Sequence, residues 1–369
     1  MCSVRLPGST VVSQTITLLN VPRSTGSVRN FFEFLAVRTI VGLIALLPGS
    51  LARRLGAWLG ALIFHLHARL RSVGMRNLAL ALPELGVNEH QRILRRLFTY
   101  LGWHFAEFCC SSRFTPQNSA SKIRYEGLEH FLRAQSAGKG VLILTGHLGA
   151  WELSSYYHSL MGHPMGLVAR RLDNPLLESF VRSMRCRHGN WVITRDRFAR
   201  GILEAMQEGR AVGILMDTNM TPPEGIFVDF FGIPACTASG LARIALRTGA
   251  AIVPGFLLWE AAESRYVLHF APPIQPVITG DRAQDIVALT ARCTAVLESW
   301  IRRYPDQWLW IHRRWKTRPT GEPSLYERDE SRSIARSGRP PVGDQQQMLD
   351  GINLHARQNG QNLATAETW

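Results

Sequence analysis

Two ionisable residues, His147 and Glu152, lie five positions apart where a predicted strand gives way to a predicted helix. The apolar run over residues 141–144 (VLIL) is typical of a strand covered on both faces. Residues 148–160 contain no proline and predict a helix. Five helical positions turn a side chain by about 140°, so the two groups can meet only if His147 lies in the turn before the helix. The spacing then places an imidazole and a carboxylate at the carboxyl end of a strand, where open α/β sheets bind ligands.

A histidine beside a carboxylate can act as a general base. A neutral imidazole that a carboxylate holds in one orientation can take a proton from a hydroxyl group, which makes the hydroxyl oxygen a nucleophile. A second interpretation also fits the spacing: His147 packs in a turn, and Glu152 is a solvated acid favoured by the dipole of its helix.

Two further polar residues follow predicted strands directly. Arg170 comes after the strand predicted at 165–169, and Asp217 comes after the one at 211–216. Since the carboxyl ends of parallel strands share one edge of a sheet, His147, Arg170 and Asp217 are expected on the same edge. Arginine can hold phosphate groups through forked hydrogen bonds. The alternatives are a surface salt bridge for Arg170 and a turn or helix cap for Asp217.

The remaining pattern alternates apolar strands with helices. Strands are predicted at 141–145, 165–169, 211–216, 251–257 and 266–271, and helices at 150–160, 174–188, 198–208, 237–248 and 281–304. This alternation predicts an α/β fold with a mostly parallel central sheet covered by helices on both faces.

A different composition precedes this core. Two stretches of 14 uncharged residues each, 39–52 and 55–68, are flanked by arginines between Arg38 and Arg69, and Pro48 and Gly49 interrupt this region. Neither stretch reaches the roughly 20 residues that span a bilayer. Apolar helices edged by arginine fit an element that lies in an anionic membrane face, so residues 29–75 are predicted to form membrane-associated helices. The alternative is a pair of core helices.

The charge is unusual in both size and kind. The chain of 369 residues has a formal net charge of +14, and only Lys122, Lys139 and Lys316 of its 42 basic residues are lysines. A body this basic suits an acidic partner. No nucleic-acid-binding motif accompanies the charge, which argues against nucleic acid. The six cysteines form no C-x-x-C pair and are interpreted as reduced thiols.

Five blocks of sequence, in the same order along the chain, resemble the bacterial lipid A biosynthesis acyltransferases, the lauroyl/myristoyl branch of the lysophospholipid acyltransferase superfamily. They are TGHLGAWE at 145–152, VARRLDNPLL at 168–177, GIFVDFFG at 225–232, TGAAIVP at 248–254 and QWLWIHRRWKTRP at 307–319. The first block contains the H-x-x-x-x-E spacing of that family. The resemblance covers roughly residues 30–320.

The resemblance implies an O-acyltransferase that moves a fatty acyl chain from an acyl-carrier thioester to a hydroxyl group of a lipid A precursor. His147 is then the general base, Glu152 fixes its orientation, and Arg170 and Asp217 bind substrate in the donor and acceptor cleft. The co-substrate is acyl-ACP or acyl-CoA, with no cofactor or metal. The implied partners are an acyl carrier protein, a glycolipid acceptor and an anionic membrane surface, and the implied location is the cytoplasmic face of a bacterial inner membrane.

The resemblance leaves two alternatives open. One is acylation of another glycolipid, such as a phosphatidylinositol mannoside. The other is a non-catalytic lipid-binding protein that uses the same basic face and apolar cleft. An imidazole and a carboxylate at one strand end favour an enzyme over a binder.

Four segments are therefore expected: a poorly ordered arm at 1–28, membrane-associated helices at 29–75, an α/β acyltransferase domain at 76–318 and a disordered polar tail at 319–369. The block from Trp308 to Arg318 interleaves tryptophans with basic residues, which suits a lipid headgroup interface. Arginines near Arg313 and Arg314 are expected to be exposed and to dock an acidic carrier. The alternative is that this block closes the core.

Overall fold

Eleven helices and nine strands alternate along the part of the chain that the structure, a computed structural model, describes, residues 25–326. The helices are α1 (Thr25–Leu46), α2 (Gly49–Leu66), α3 (Ala68–Ala81), α4 (Val87–Cys109), α5 (Pro116–Ser119), α6 (Leu128–Ser136), α7 (Trp151–Leu160), α8 (Pro175–Arg185), α9 (Phe198–Gln207), α10 (Gly240–Thr248) and α11 (Arg282–Arg303). The strands are β1 (Ile123–Glu126), β2 (Val141–Thr145), β3 (Met165–Ala169), β4 (Trp191–Thr194), β5 (Ala211–Leu215), β6 (Gly225–Phe230), β7 (Ile233–Ala238), β8 (Ala251–Glu260) and β9 (Arg265–Phe270).

Seven of these strands form one sheet in the order β1-β9-β8-β2-β5-β3-β4. All neighbouring pairs in it are parallel except β8 with β9. The strands β6 and β7 form a separate antiparallel hairpin. The predicted α/β class, with a mostly parallel sheet flanked by helices, is confirmed.

Helices cover both faces of this sheet because its central strands are apolar on both sides. Leu142 and Leu144 of β2 pack with residues of α9, α10 and α11. Val141 and Ile143, which alternate with them, pack with residues of α6 and α7. All four side chains are at most 4% exposed, which explains why this strand shows a continuous apolar run.

The strands β2 and β5 are neighbours whose connections leave in opposite directions. From β2 the chain passes through α7 to β3, beyond β5, whereas from β5 it passes through β6, β7 and α10 to β8, beyond β2. Since parallel crossovers are right-handed, α7 and α10 must cover opposite faces. Such a switch point leaves a crevice at the carboxyl ends of the two strands, where α/β proteins bind ligands.

The helices α2 and α4 approach each other backbone to backbone. A Cβ atom added at Gly60 would lie 2.0 Å from the carbonyl oxygen of Phe98, and one added at Gly102 would lie 1.9 Å from that of Gly56. One face of α2 therefore belongs to the protein core, as the alternative interpretation of this segment required.

The opposite side of this N-terminal region is apolar and exposed. Phe32 and Leu43 of α1 and Trp58 and Leu66 of α2 are each at least 60% exposed. No helix within residues 25–326 is long and apolar enough to cross a membrane. The predicted membrane association of residues 29–75 stays a prediction.

The block after Trp308 is core and not surface. Trp308, Trp310 and Trp315 are at most 1% exposed and pack against the β6–β7 hairpin. Arg314 is fully buried and donates hydrogen bonds to the Cys236 carbonyl oxygen at 2.9 Å and to Thr237 Oγ1 at 2.5 Å. The interpretation of these tryptophans as a headgroup interface is wrong, and so is the expectation that Arg314 is exposed for docking.

The described chain also refines the predicted boundaries. Helix α1 begins at Thr25, inside the arm predicted at 1–28. Tyr326, in the stretch assigned to the tail, is 3% exposed, and its hydroxyl donates to Asn77 Oδ1 at 2.6 Å. The predictions for residues 1–24 and 327–369 lie outside the described residues.

Candidate active site

The register between β2 and β5 places His147 opposite Asp217. Thr145 is paired with Leu215 at the ends of the two strands, and the histidine and the aspartate each follow two residues later. The strand ends therefore bring together two residues that are 70 positions apart in the chain.

Three hydrogen bonds fix this pair. His147 Nδ1 lies 2.9 Å from Asp217 Oδ1, and the His147 backbone N–H donates to Asp217 Oδ2 at 2.7 Å. The indole N–H of Trp308 donates to the same Oδ2 at 2.8 Å. Because an ionised carboxylate can only accept, Nδ1 carries the imidazole proton. That tautomer leaves Nε2 as the basic nitrogen of His147.

The segment before and after Trp308 holds the turn that carries His147. Gly149 donates its backbone N–H to the Gln307 carbonyl oxygen at 2.9 Å, and Leu309 donates to the His147 carbonyl oxygen at 3.0 Å. Residues 307–309 thus clamp the turn after β2, that is, they hold it in place through backbone hydrogen bonds on both sides of Trp308. A side chain at Gly146 would bring a Cβ atom within 3.0 Å of the Asp217 carboxylate, so the turn requires a very small residue there.

Burial and pairing act in opposite directions on both groups. Burial alone raises the pKa of Asp217, but the charge and hydrogen bond of His147 and the hydrogen bond of Trp308 outweigh it and lower this pKa to about 2. Burial alone lowers the pKa of His147, but the charge and hydrogen bond of Asp217, together with the charge of Glu152, raise it above 6.5. Asp217 is therefore an anion at neutral pH, and the pKa of His147 lies above its ordinary value.

Glu152 does not make the predicted hydrogen bond to His147. Its carboxylate accepts from Arg185 instead, with Nε at 2.9 Å from Oε2 and Nη2 at 2.5 Å from Oε1. Glu152 lies on the first turn of α7 and Arg185 at the end of α8. The carboxylate that orients the imidazole is thus Asp217, and Glu152 contributes only its charge to His147.

Of the other two predicted site residues, Arg170 is exposed and Asp217 is buried. Arg170 is 76% exposed in its side chain and pairs with the exposed Asp173 at 3.1 Å, as the surface salt-bridge alternative described. Its role in binding substrate stays a prediction. Asp217 was predicted to bind substrate, but its side chain is 2% exposed and both oxygens accept hydrogen bonds from the protein.

Sequence reasoning missed three residues that build this site. No sequence pattern indicated Arg185. This bidentate partner of Glu152 lies 33 positions away, and the contact depends on how α8 lies against α7. Trp151 packs edge to face against the His147 ring at 5.2 Å between centroids, and its position next to Glu152 was the only hint. Trp308 stood in a noted aromatic block, yet nothing in the pattern linked its indole to Asp217.

A narrow opening, here called the apolar channel, lies between α7 and the sheet. It has a volume of about 70 Å³. Glu152, Arg185 and four other polar residues line it together with a larger number of apolar residues. Those from the sheet include Ile143, Met165, Leu167, Gly213, Gly255 and Phe270.

A second opening, here called the wide cleft, lies on the other face of the sheet, beside α9 and α10. Its volume is about 750 Å³. The apolar residues Phe198, Met216 and Ile244 line it together with the polar residues Thr218, Glu224 and Arg243. Met216 and Thr218 flank Asp217 in the chain, so the wide cleft runs past the end of β5.

Comparison with known proteins identifies one family whose model covers most of the chain. Residues 25–317 match the model of the family described as bacterial lipid A biosynthesis acyltransferase. The chain belongs to this family. The resemblance that the five blocks indicated is confirmed.

Several characterised relatives share that description. The lipid A biosynthesis palmitoleoyltransferase of Escherichia coli (strain K12) is 30% identical over 282 residues, which cover 76% of this chain and 90% of the relative. The lauroyltransferase of the same strain is 28% identical over 289 residues, covering 78% and 92%. The myristoyltransferase of the same strain is 23% identical over 302 residues, covering 82% and 92%.

The geometry predicts which carboxylate sets the pKa of His147. Replacing Asp217 by Asn removes the adjacent charge and the anionic acceptor, so the pKa of His147 should fall. Glu152→Gln removes a charge that makes no hydrogen bond to the ring and should lower this pKa less. An NMR titration of isotope-labelled histidines, with His147→Gln to assign the signal, measures both shifts. A larger shift in Glu152→Gln would return the orienting role to Glu152.

Proposed function

We propose that this protein transfers a fatty acyl chain from an acyl-carrier thioester to a hydroxyl group of a lipid A precursor. The observation that carries the proposal is the His147–Asp217 pair, which presents a basic Nε2 at the switch point of the sheet. Membership of the acyltransferase family supports acyl transfer in lipid A biosynthesis.

The chemistry requires one base and no covalent bond to the enzyme. His147 Nε2 takes the proton of the acceptor hydroxyl while that oxygen attacks the carbonyl carbon of the thioester. The tetrahedral intermediate then collapses, the carbon–sulfur bond breaks, and the imidazolium returns its proton to the leaving sulfur. The products are an ester and a free thiol, so atoms and charge balance.

Asp217 favours this sequence at both stages. Its hydrogen bond holds the tautomer whose Nε2 is unprotonated, and its charge stabilises the imidazolium formed during attack. A raised pKa also makes His147 a stronger base near neutral pH, where general bases work best. A positioned base of this kind typically contributes about 10²–10⁴-fold to the rate.

The apolar channel suits the acyl chain. Its lining of Ile143, Met165, Leu167 and Phe270 is apolar, which suits a hydrocarbon chain and not a sugar. Two glycines, Gly213 and Gly255, open the wall between α7 and the sheet. The Glu152–Arg185 pair stands where the channel meets the crevice, and this is the role we propose for Glu152.

The wide cleft suits the bulky polar partner. It is about ten times larger than the channel and offers Thr218, Glu224 and Arg243 to sugar hydroxyl or phosphate groups. A glycolipid acceptor in this cleft and an acyl chain in the channel approach the crevice from opposite faces of the sheet. His147, between the two, is placed to act on both.

The donor and the location are proposed from charge and exposed surface. The basic body suits an acidic acyl carrier protein more than acyl-CoA, since long-range attraction grows with the charge of the partner. The exposed apolar side chains of α1 and α2, among them Phe32, Leu43, Trp58 and Leu66, suit peripheral attachment to the cytoplasmic face of the inner membrane.

The first prediction concerns the two residues of the pair. His147→Ala should lower the rate of acyl transfer by about 10²–10⁴-fold, because no base remains to activate the hydroxyl. Asp217→Asn should lower it by at least about a hundredfold through the wrong tautomer. Initial rates with acyl-carrier donor and glycolipid acceptor test both, with the exposed Asp281, which caps α11 and can be replaced there by Asn, changed to Asn as a matched control. Wild-type turnover in His147→Ala would leave a passive lipid binder as the better interpretation.

The second prediction concerns chain length. A Cβ atom at Gly213 would lie 2.5 Å from Met165 Cε, so Gly213→Ala should push this flexible side chain into the channel and shorten it. The ratio of kcat/KM for the longest accepted chain to that for a chain two carbons shorter should fall at least about tenfold. Gly86→Ala, where a Cβ meets nothing within 4 Å, is the control. An unchanged ratio would place the acyl chain elsewhere.

The third prediction concerns the donor. Raising the salt from 0.1 M to 1 M shortens the Debye length from about 10 Å to about 3 Å, so kcat/KM should fall steeply with an acyl-carrier donor and less with acyl-CoA. Arg197, 58% exposed beside the wide cleft, changed to Glu should reduce the carrier rate more than Arg133→Glu at the end of α6. A flat salt response would reject docking by charge.

A further inference from the structure

A groove with two arginines lies on the outside of the molecule, between α1 and α8. Its volume is about 240 Å³. The apolar residues Val41, Ala45, Phe180 and Met184 line it, together with Gly42. Arg38 of α1 and Arg187, just past α8, stand in the same groove, next to Ser111 and Ser112. It is separate from the apolar channel and from the wide cleft.

The positive charge of this groove is not neutralised by the protein. Within residues 25–326, neither Arg38 nor Arg187 forms an ion pair with a carboxylate. Glu33, the one acid between Arg29 and Leu82, is already paired with Arg29 at 3.3 Å and accepts from Asn174 at 3.2 Å. The Arg38 guanidinium instead lies over the Phe180 ring, 5.6 Å from its centroid. Two exposed guanidinium groups beside an apolar floor are complementary to an anion that carries hydrocarbon.

Exposed apolar side chains lie elsewhere on α1. Phe32, Ile40, Leu43 and Leu46 are between 50% and 81% exposed, on sides of the helix turned away from the groove. Exposed apolar area of this kind marks a site of contact with another molecule or with a membrane. A lipid bound in the groove would have its headgroup at the arginines and the start of its chains on the apolar floor.

We infer that the groove binds the phosphate headgroup of an anionic membrane lipid. Arg38 and Arg187 would hold the phosphate oxygens through forked hydrogen bonds, which a guanidinium forms and an ammonium does not. Val41, Ala45 and Met184 would contact the first part of the lipid chains. This inference does not rest on the acyl-transfer proposal, because it concerns binding at a different surface.

The groove is tied to the active site through α7. The hydroxyl group of Tyr156, on α7, donates a hydrogen bond of 2.7 Å to the carbonyl oxygen of Ser111, and Ser111 lines the groove. The same hydroxyl lies 3.0 Å from His188 Nε2, next to Arg187. The groove and the apolar channel are separated by about one helix, which is about 10–12 Å across. A lipid held in the groove would therefore keep the mouth of the apolar channel, at Glu152 and Arg185, close to the bilayer surface.

The test is co-sedimentation of the purified full chain with vesicles. Two compositions are compared: phosphatidylcholine alone, and phosphatidylcholine with one fifth phosphatidylglycerol. The wild type should favour the anionic vesicles, and Arg187→Ala or Arg38→Ala should each lower that preference about fivefold. Arg133→Ala, the same change on the exposed surface of α6, should lower it less.

Two substitutions separate a built site from general attraction. Arg187→Lys keeps the charge but loses the fork, so it should lose most of the preference. Gly42→Leu fills the groove without changing charge, and a Cβ there meets nothing within 4 Å, so the fold should accept it. It should lower the preference for anionic vesicles, while Gly49→Leu, exposed and equally free of contacts, should not.

Three outcomes would overturn the inference. The first is equal binding of wild type and Arg187→Lys together with equal losses in all arginine-to-alanine variants, which would indicate diffuse charge attraction. The second is an unchanged preference in Gly42→Leu. The third is saturable binding of inorganic phosphate by a protein that shows no preference for anionic vesicles, which would identify a free anion as the ligand. Since no turnover is measured, failure here leaves the acyltransferase proposal untouched, and a loss of activity leaves this one untouched.

Discussion

A buried carboxylate is the constraint on which the rest of this site depends. Asp217 has both oxygens in contact with protein donors and almost no contact with water. An unpaired buried charge is strongly unfavourable, so the turn after β2 and the indole of Trp308 must both be in place. The parallel pairing of β2 with β5 and the clamp by residues 307–309 satisfy that requirement. The same contacts that stabilise the anion fix the imidazole as a base.

The sequence was informative about where the strands end, and not about which side chains pair with one another there. The apolar run before His147 and the one before Asp217 predicted two strands of a parallel sheet that end at the same edge, and the structure has both. The pairing of His147 with Glu152 was inferred from spacing along one segment. Register between strands made a residue 70 positions away the partner instead, and α8, whose placement no local pattern encodes, supplied Arg185 for Glu152. Local spacing predicts local contacts, whereas sheet order decides the long-range ones.

Composition was a poor guide to burial in the block that begins at Trp308. Tryptophans alternating with arginines are typical of a headgroup interface and equally of a closing core segment. The block closes the core because the Cys236 carbonyl oxygen and the Thr237 hydroxyl group of β7 accept hydrogen bonds from Arg314. The tryptophans also fill the space beside the hairpin. Burial lowers the pKa of this guanidinium to about 10, yet it stays a cation at neutral pH. A buried arginine of this kind has a structural role that no charge count can distinguish from docking.

The direction of the two crossovers explains how one base can serve two substrates. Because the connections of β2 and β5 leave toward opposite faces, each face keeps its own opening at the crevice, narrow under α7 and wide beside α10. Donor and acceptor can then be bound together with the reacting oxygen and carbonyl at Nε2 of His147. Direct transfer between two bound substrates needs no acyl-enzyme, and so no nucleophilic side chain. The topology of the sheet therefore suits the proposed direct acyl transfer, in which a histidine–aspartate pair acts without a serine or a cysteine.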